Sequence, residues 1–138
     1  MCKRGNRMIR ITIVMGLFLN LLWGERFELS SYNKVYDNDT ELLWLNQSSE
    51  KALNFEKANA YCKALKLRLP SQYELKSLVD YSKYKPAIGT KLISVEKDKD
   101  YWSSSSYYGD DEYWTVYFLN GIDLHRQRNT KHFVLCVE

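Results

Sequence analysis

Two stretches in the last third of the chain hold most of the side chains whose chemistry could serve a ligand. His125-Arg126-Gln127-Arg128 is followed, across a turn, by Lys131-His132. On adjacent strands this spacing would gather several cations along one edge. The planar guanidinium fork of arginine pairs two oxygens of a sulfate, carboxylate or phosphate at once. The cluster therefore predicts an anion site built from His125, Arg126, Arg128 and Lys131, with an acidic or sulfated glycan as its ligand. The competing reading is a solvated hairpin whose charges discourage edge-to-edge strand pairing. Upstream, Tyr107, Tyr108, Tyr113 and Trp114 lie beside Ser103–Ser106. Aromatic faces stack on sugar rings, and serines bond sugar hydroxyls. Tyr101, Trp102 and Trp114 are expected in the core, since a small domain needs large apolar groups. Tyr107 and Tyr108 are the aromatics expected to meet a ligand.

Other chemistries find less support. Asp110-Asp111-Glu112 offers hard oxygen ligands of the kind calcium takes, but three adjacent acids in a loop also make an ordinary solvated turn, and no metal site is predicted. The Ser103–Ser106 run lacks the glycines that flank a nucleophile elbow. No serine stands in a nucleophile–base context with His125 or His132. The pattern predicts a binding protein, not an enzyme, with no catalytic residue, metal or cofactor.

The elements that must hold these residues can be read from spacing. Phe27–Leu45 reads as two short strands around the turn Asp37-Asn38-Asp39-Thr40. A helix starts at Asn54 as N-cap and gathers Phe55, Ala58, Tyr61, Cys62 and Leu65 on one face. A second helix follows Pro70, with Ser71 and Glu74 forming a capping box and Leu75, Leu78 and Val79 as its apolar face. Tyr81–Asp100 is charged and irregular, and long enough to be either functional or mobile. Tyr101–Ser103 reads as a short strand and Ser104–Glu112 as a loop. Tyr113–Leu119 is a strand with Trp114, Val116 and Phe118 facing one way. Asn120-Gly121 marks a hairpin, because both residues tolerate positive φ. Ile122–Arg128 returns, and His132–Val137 forms the last strand.

With 138 residues, one domain is expected. The formal charge of +3 misleads, because residues 1–24 carry four basic residues and no acid, which leaves 16 basic residues against all 17 acids. No global attraction to nucleic acid is supported. The basic start and the apolar run Ile11–Trp23 read as a secretory signal, residues 1–24, ahead of a domain over 25–138. Translation from Met8 would shorten the signal's basic region. A 13-residue run is short for a bilayer, which needs roughly 20, so no stable membrane insertion is expected after cleavage; an uncleaved anchor is the alternative. The expected location is periplasmic or secreted. Cys2 would leave with the signal. The remaining Cys62 and Cys136 suggest a disulfide in an exported chain, against the alternative of two buried free thiols.

Several strings occur together in order: Leu43-Trp44, Ala58-x-x-Tyr61-Cys62, Arg68-Leu69-Pro70-Ser71-x-x-Glu74-Leu75, Tyr101-Trp102-Ser103-Ser104, Trp114-x-Val116-x-Phe118-x-Asn120-Gly121 and Cys136-Val137. In these the chain resembles the collagen-like-adhesin C-terminal domain family (Lcl_C) over about Tyr36–Glu138. The resemblance implies an α+β, C-type-lectin-like fold, with two helices packed on a small, twisted, mostly antiparallel sheet. It also implies a bridge from the first helix to the last strand, which fits Cys62 with Cys136. Some relatives are adhesins for sulfated glycans. Lys57 and Leu135 depart from the family's usual Glu and Arg, and collagen-like repeats are absent. Sugar-binding C-type lectins use a Glu-Pro-Asn or Gln-Pro-Asp string for calcium; here the two prolines lie in Leu69-Pro70-Ser71 and Lys85-Pro86-Ala87, so calcium-dependent sugar binding is not implied. The related formylglycine-generating enzymes need reactive cysteines, and the resemblance places both of these as structural. The expected function is an exported envelope domain binding an acidic or sulfated polysaccharide. The alternative is a structural or protein-interaction module whose partner is an envelope protein.

Overall fold

The computed structural model describes residues 24–138. Apart from Gly24, the predicted signal segment lies outside the described residues. No described helix is long and apolar enough to cross a membrane.

The domain is α+β, as expected, but it carries two small antiparallel sheets where one was predicted. The first holds β1 (Phe27–Leu29), β2 (Lys34–Asp37) and β3 (Leu42–Leu45) in chain order. The helices α1 (Phe55–Ala64) and α2 (Gln72–Ser77) follow. The second sheet holds β4 (Asp100–Tyr108), β5 (Glu112–Tyr117) and β6 (Ile122–Gln127). The early segment thus has three strands, not two.

Local chemistry explains the turns and helix starts. The Asp37 carboxylate accepts from the Asp39 N–H at 3.0 Å and the Thr40 hydroxyl at 2.8 Å, which closes the β2–β3 turn. Arg26 grips the same carboxylate with two bonds, at 2.9 and 2.8 Å. Burial pushes the Asp37 carboxyl up, but these donors outweigh it and hold it below its ordinary range. Asn54 caps α1 by accepting from the Lys57 N–H. Ser71 and Glu74 cap α2 reciprocally, and Arg68 clamps the Glu74 carboxylate at 2.7 and 2.8 Å.

The core has two parts that share the strands between them. Tyr101, Val116, Phe118, Leu75, Leu78 and Trp44 form one cluster. Trp102, Tyr113, Phe55, Cys62, Val134 and Cys136 lie in the other. Neighbours Tyr101 and Trp102 point to opposite faces because strand side chains alternate, so the first half of β4 is buried on both sides.

Four expectations need correction. Ser104–Tyr108 is strand, not loop; two register shifts against β5 accommodate the extra residues of β4. The β5–β6 connection is a four-residue loop, since Tyr117 pairs with Ile122, and only Gly121 has positive φ, at 82°. The C-terminal segment is no strand of a sheet. It is held by isolated bridges: His132 to Leu53, Phe133 to Tyr101, and Val137 to both Trp44 and Arg68. Leu65, predicted on the apolar face of the first helix, is the C-cap residue and 44% exposed.

The segment between α2 and β4 is a packed strap. Lys85 and Ala87 donate to the Leu119 and Phe118 carbonyls at 2.9 and 2.7 Å, and Ser94 to Asn46 at 2.8 Å. Ala87, Ile88 and Ile93 are buried.

Candidate functional site

The open end of the second sheet brings two of the predicted ligand residues, Tyr108 and Arg128, to one cavity. Cross-strand pairing sets Tyr108 opposite Glu112, and Glu112 opposite Gln127. Over this row lies an open cavity of about 650 Å³, lined by Tyr108, Asp111, Glu112, Gln127, Arg128 and Asn129. Tyr108 is 68% exposed, so its ring is available to a ligand.

Arg128 is held by its backbone. Its N–H donates to the Asp111 carbonyl at 2.8 Å, its carbonyl accepts from the Phe55 N–H at the start of α1 at 3.0 Å, and Nη1 reaches the Asp110 carbonyl at 3.4 Å. The guanidinium is thereby positioned at the mouth while most of its donors stay unspent. Across the same mouth Asp111 and Glu112 supply acceptor oxygens. The lining pairs one strong donor group with two acceptor groups and one aromatic face.

The other predicted residues separate from this cavity. Tyr107 stacks on His125 with ring centroids 3.8 Å apart and planes at 15°. Trp114 meets both rings edge-on, at 5.0 and 5.8 Å. Trp114 is thus half-buried in an outer stack, not a core residue as expected, while Tyr113 goes inward to stack on Phe55 at 3.5 Å. The His125 Nδ1 lies 3.6 Å from the Glu112 carboxylate, which joins this stack to the edge of the cavity. Lys131 is exposed in the turn after β6 and does not line the cavity.

Arg126 points elsewhere. Its Nε bonds the Asp100 carboxylate at 2.8 Å, and the other Asp100 oxygen meets His132 Nδ1 at 2.9 Å. The cations expected along one edge are therefore divided: alternation along β6 sends His125 and Arg126 to opposite faces, and Arg128 lies beyond the strand, in the turn. Asp100 also accepts from the Thr115 hydroxyl at 3.0 Å. Burial pushes its carboxyl up, but bonds from His132 and Arg126 outweigh that and bring it down to about 2.

Sequence reasoning missed this centre. His132 Nε2 lies 2.8 Å from Thr130 Oγ1, so a hydroxyl, an imidazole and a carboxylate stand in line. The Thr130 hydroxyl also reaches the Gln127 carbonyl at 2.7 Å. The line thus ties Gln127 to Asp100 across the turn after β6. No local signal marks it, because Asp100 and His132 stand 32 residues apart and meet only through the sheet's pairing. Among the described residues, no group of three His, Cys, Asp or Glu side chains converges to hold a metal.

Cys62 on α1 and Cys136 near the C-terminus form a disulfide. A model of the Lcl C-terminal domain matches residues 33–138. No curated protein matches the chain.

Proposed function

The chain belongs to the Lcl C-terminal domain family, and on that premise we propose that it is an exported cell-envelope domain that binds an acidic glycan. The observation that carries this reading is the convergence of Tyr108 and Arg128 on one open cavity whose remaining lining includes two carboxylates. An exposed ring supplies a stacking face. Arg128 supplies paired donors for an acidic group. Asp111 and Glu112 accept from hydroxyls. That mixture suits a sugar with one acidic group among several hydroxyls better than a densely sulfated polymer, whose charges the two carboxylates would repel. The collagen-like-adhesin kinship and a C-type-lectin-like fold are part of the same proposal, supported by the helix-to-C-terminus disulfide and the antiparallel sheets. Export to the periplasm or beyond rests on the signal-like residues 1–24 and agrees with a disulfide.

Retention on immobilised alginate, a polyuronate, and on heparin at low salt tests the reading. Wild type should be retained more strongly on alginate than on heparin, and Tyr108→Ala and Arg128→Ala should each weaken alginate binding about tenfold, as expected for losing one charge-assisted or stacking contact. Arg126→Ala should alter stability more than retention, because Arg126 is engaged by Asp100. A wild-type protein that passes through both columns unretained would end the glycan reading and favour an envelope module with a protein partner.

A further inference from the structure

A second depression lies on the strap between α2 and β4 and shares no lining residue with the Tyr108–Arg128 cavity. Its volume is about 290 Å³, near the lower end for small-ligand pockets. Its floor is apolar: Pro86, Ile88, Ile93 and Val95. Three lysines line it, Lys83, Lys91 and Lys97, and no acidic residue does. Glu96 and Asp98 flank Lys97 in sequence but are not part of the lining. Lys83 makes a loose pair with Asp80 at 3.8 Å. Among the described residues, neither Lys91 nor Lys97 pairs with a carboxylate within 4.0 Å.

Thr90 adds a directional group. It is 7% exposed, and it lines both this depression and an adjoining one of about 690 Å³. Its hydroxyl oxygen accepts from the Leu92 N–H at 3.1 Å. No acceptor for its own proton occurs among the described residues, so that proton is available to a ligand oxygen. Thr90 lines an open depression, so a ligand oxygen seated there would take the place of water as its acceptor.

We propose that this depression binds a small amphiphile, with a phosphate or carboxylate head on a short apolar body. The head sits among Lys83, Lys91 and Lys97 and accepts from Thr90, while the apolar part covers Ile88 and Val95. Lysine is a compact point charge on a flexible stem, so it suits a tetrahedral or carboxylate head without demanding one geometry. The apolar floor excludes a bare inorganic anion as the best ligand, because such an anion would leave that surface wet. The unpaired charges of Lys91 and Lys97 disfavour a neutral ligand for the opposite reason.

The test is calorimetric titration of the oxidised full chain with hexyl phosphate, inorganic phosphate and hexanol. Hexyl phosphate should bind at least tenfold more tightly than either of the others, with an affinity that falls as salt is raised. Lys91→Gln combined with Lys97→Gln should weaken hexyl phosphate binding tenfold or more while leaving the melting midpoint and alginate retention unchanged. Thr90→Val should weaken it by a smaller factor. The proposal is overturned if hexyl phosphate does not bind, if inorganic phosphate or hexanol binds as well as hexyl phosphate, or if the double lysine variant binds like wild type.

Discussion

Asp100 shows how a single residue can serve several elements. It opens β4, yet it takes bonds from Thr115 on β5, Arg126 on β6 and His132 beyond the turn. Its side chain is 12% exposed, so these donors replace most of its water. The folded carboxyl, at about 2, lies below its ordinary value of 3.8. A depressed folded value means that ionised Asp100 stabilises the fold above its unfolded value, and that this stability is lost as the pH falls from about 4 to about 2. The linked contribution is about 2 kcal/mol. Asp37 and Glu74 are also held low, so the acid limb of stability has more than one source. Urea melts at pH 7 and across pH 5 to 2 should show Asp100→Asn less stable than wild type at neutral pH, with a shallower fall below pH 4. An equally steep fall in the variant would place the acid sensitivity on the other carboxylates alone.

Among the elements, the β5–β6 connection makes the sharpest demand on its sequence. Gly121 has a φ of 82°, and a Cβ there would come within 2.3 Å of the Val79 side chain. Two penalties therefore meet, a strained backbone and a steric overlap with Val79, two residues beyond α2. Gly121→Ala should cost about 2 to 3 kcal/mol. Adding Val79→Ala should recover the steric share and leave the backbone share, which a thermal or denaturant melt of the three proteins can separate. Asn120-Gly121 was legible as a turn because glycine's freedom is a local property, and the caps at Asn54 and Ser71 were legible for the same reason. The rest of β4 was not. Four serines in Ser103–Ser106 carry weak strand preference, and the register shifts break the alternation that would identify them. The C-terminal segment failed in the opposite sense. Phe133, Val134, Leu135, Cys136 and Val137 read as a strand because they are apolar, but only Phe133 and Val137 are bridged, to single residues from three different places. The site was half legible: the side-chain types at Tyr108 and Arg128 suggested a ligand, whereas the diversion of Arg126 to Asp100 depended on pairing that composition does not reveal.

At the scale of the whole molecule, the C-terminal segment joins two sheets that do not pair with each other. Val137 bridges to Trp44 in the first sheet and to Arg68 before α2, while Phe133 bridges to Tyr101 in the second. Leu135 lies in the cluster with Trp44 and Tyr101, and Cys136 in the cluster with Trp102 and Phe55. The disulfide fixes this segment to α1 across a sequence separation of 74. Closing a loop of that length removes unfolded-chain entropy worth about 4.5 kcal/mol in the chain-entropy model, a large share of a total stability of about 5 to 15 kcal/mol. Cys62→Ser with Cys136→Ser should therefore lower stability by about 4 kcal/mol or more, because two buried hydroxyls also replace the bridge and add their own desolvation cost. The more telling measurement is cooperativity. Since one segment packs into both clusters, tryptophan fluorescence and far-UV circular dichroism should report a single transition in the oxidised protein. In the serine variant the two probes should still coincide, at lower denaturant, if bridges and packing from 132 to 137 carry the coupling. Separate transitions in the variant, with one in wild type, would mean that the covalent bond couples the sheets and that packing of the segment alone does not.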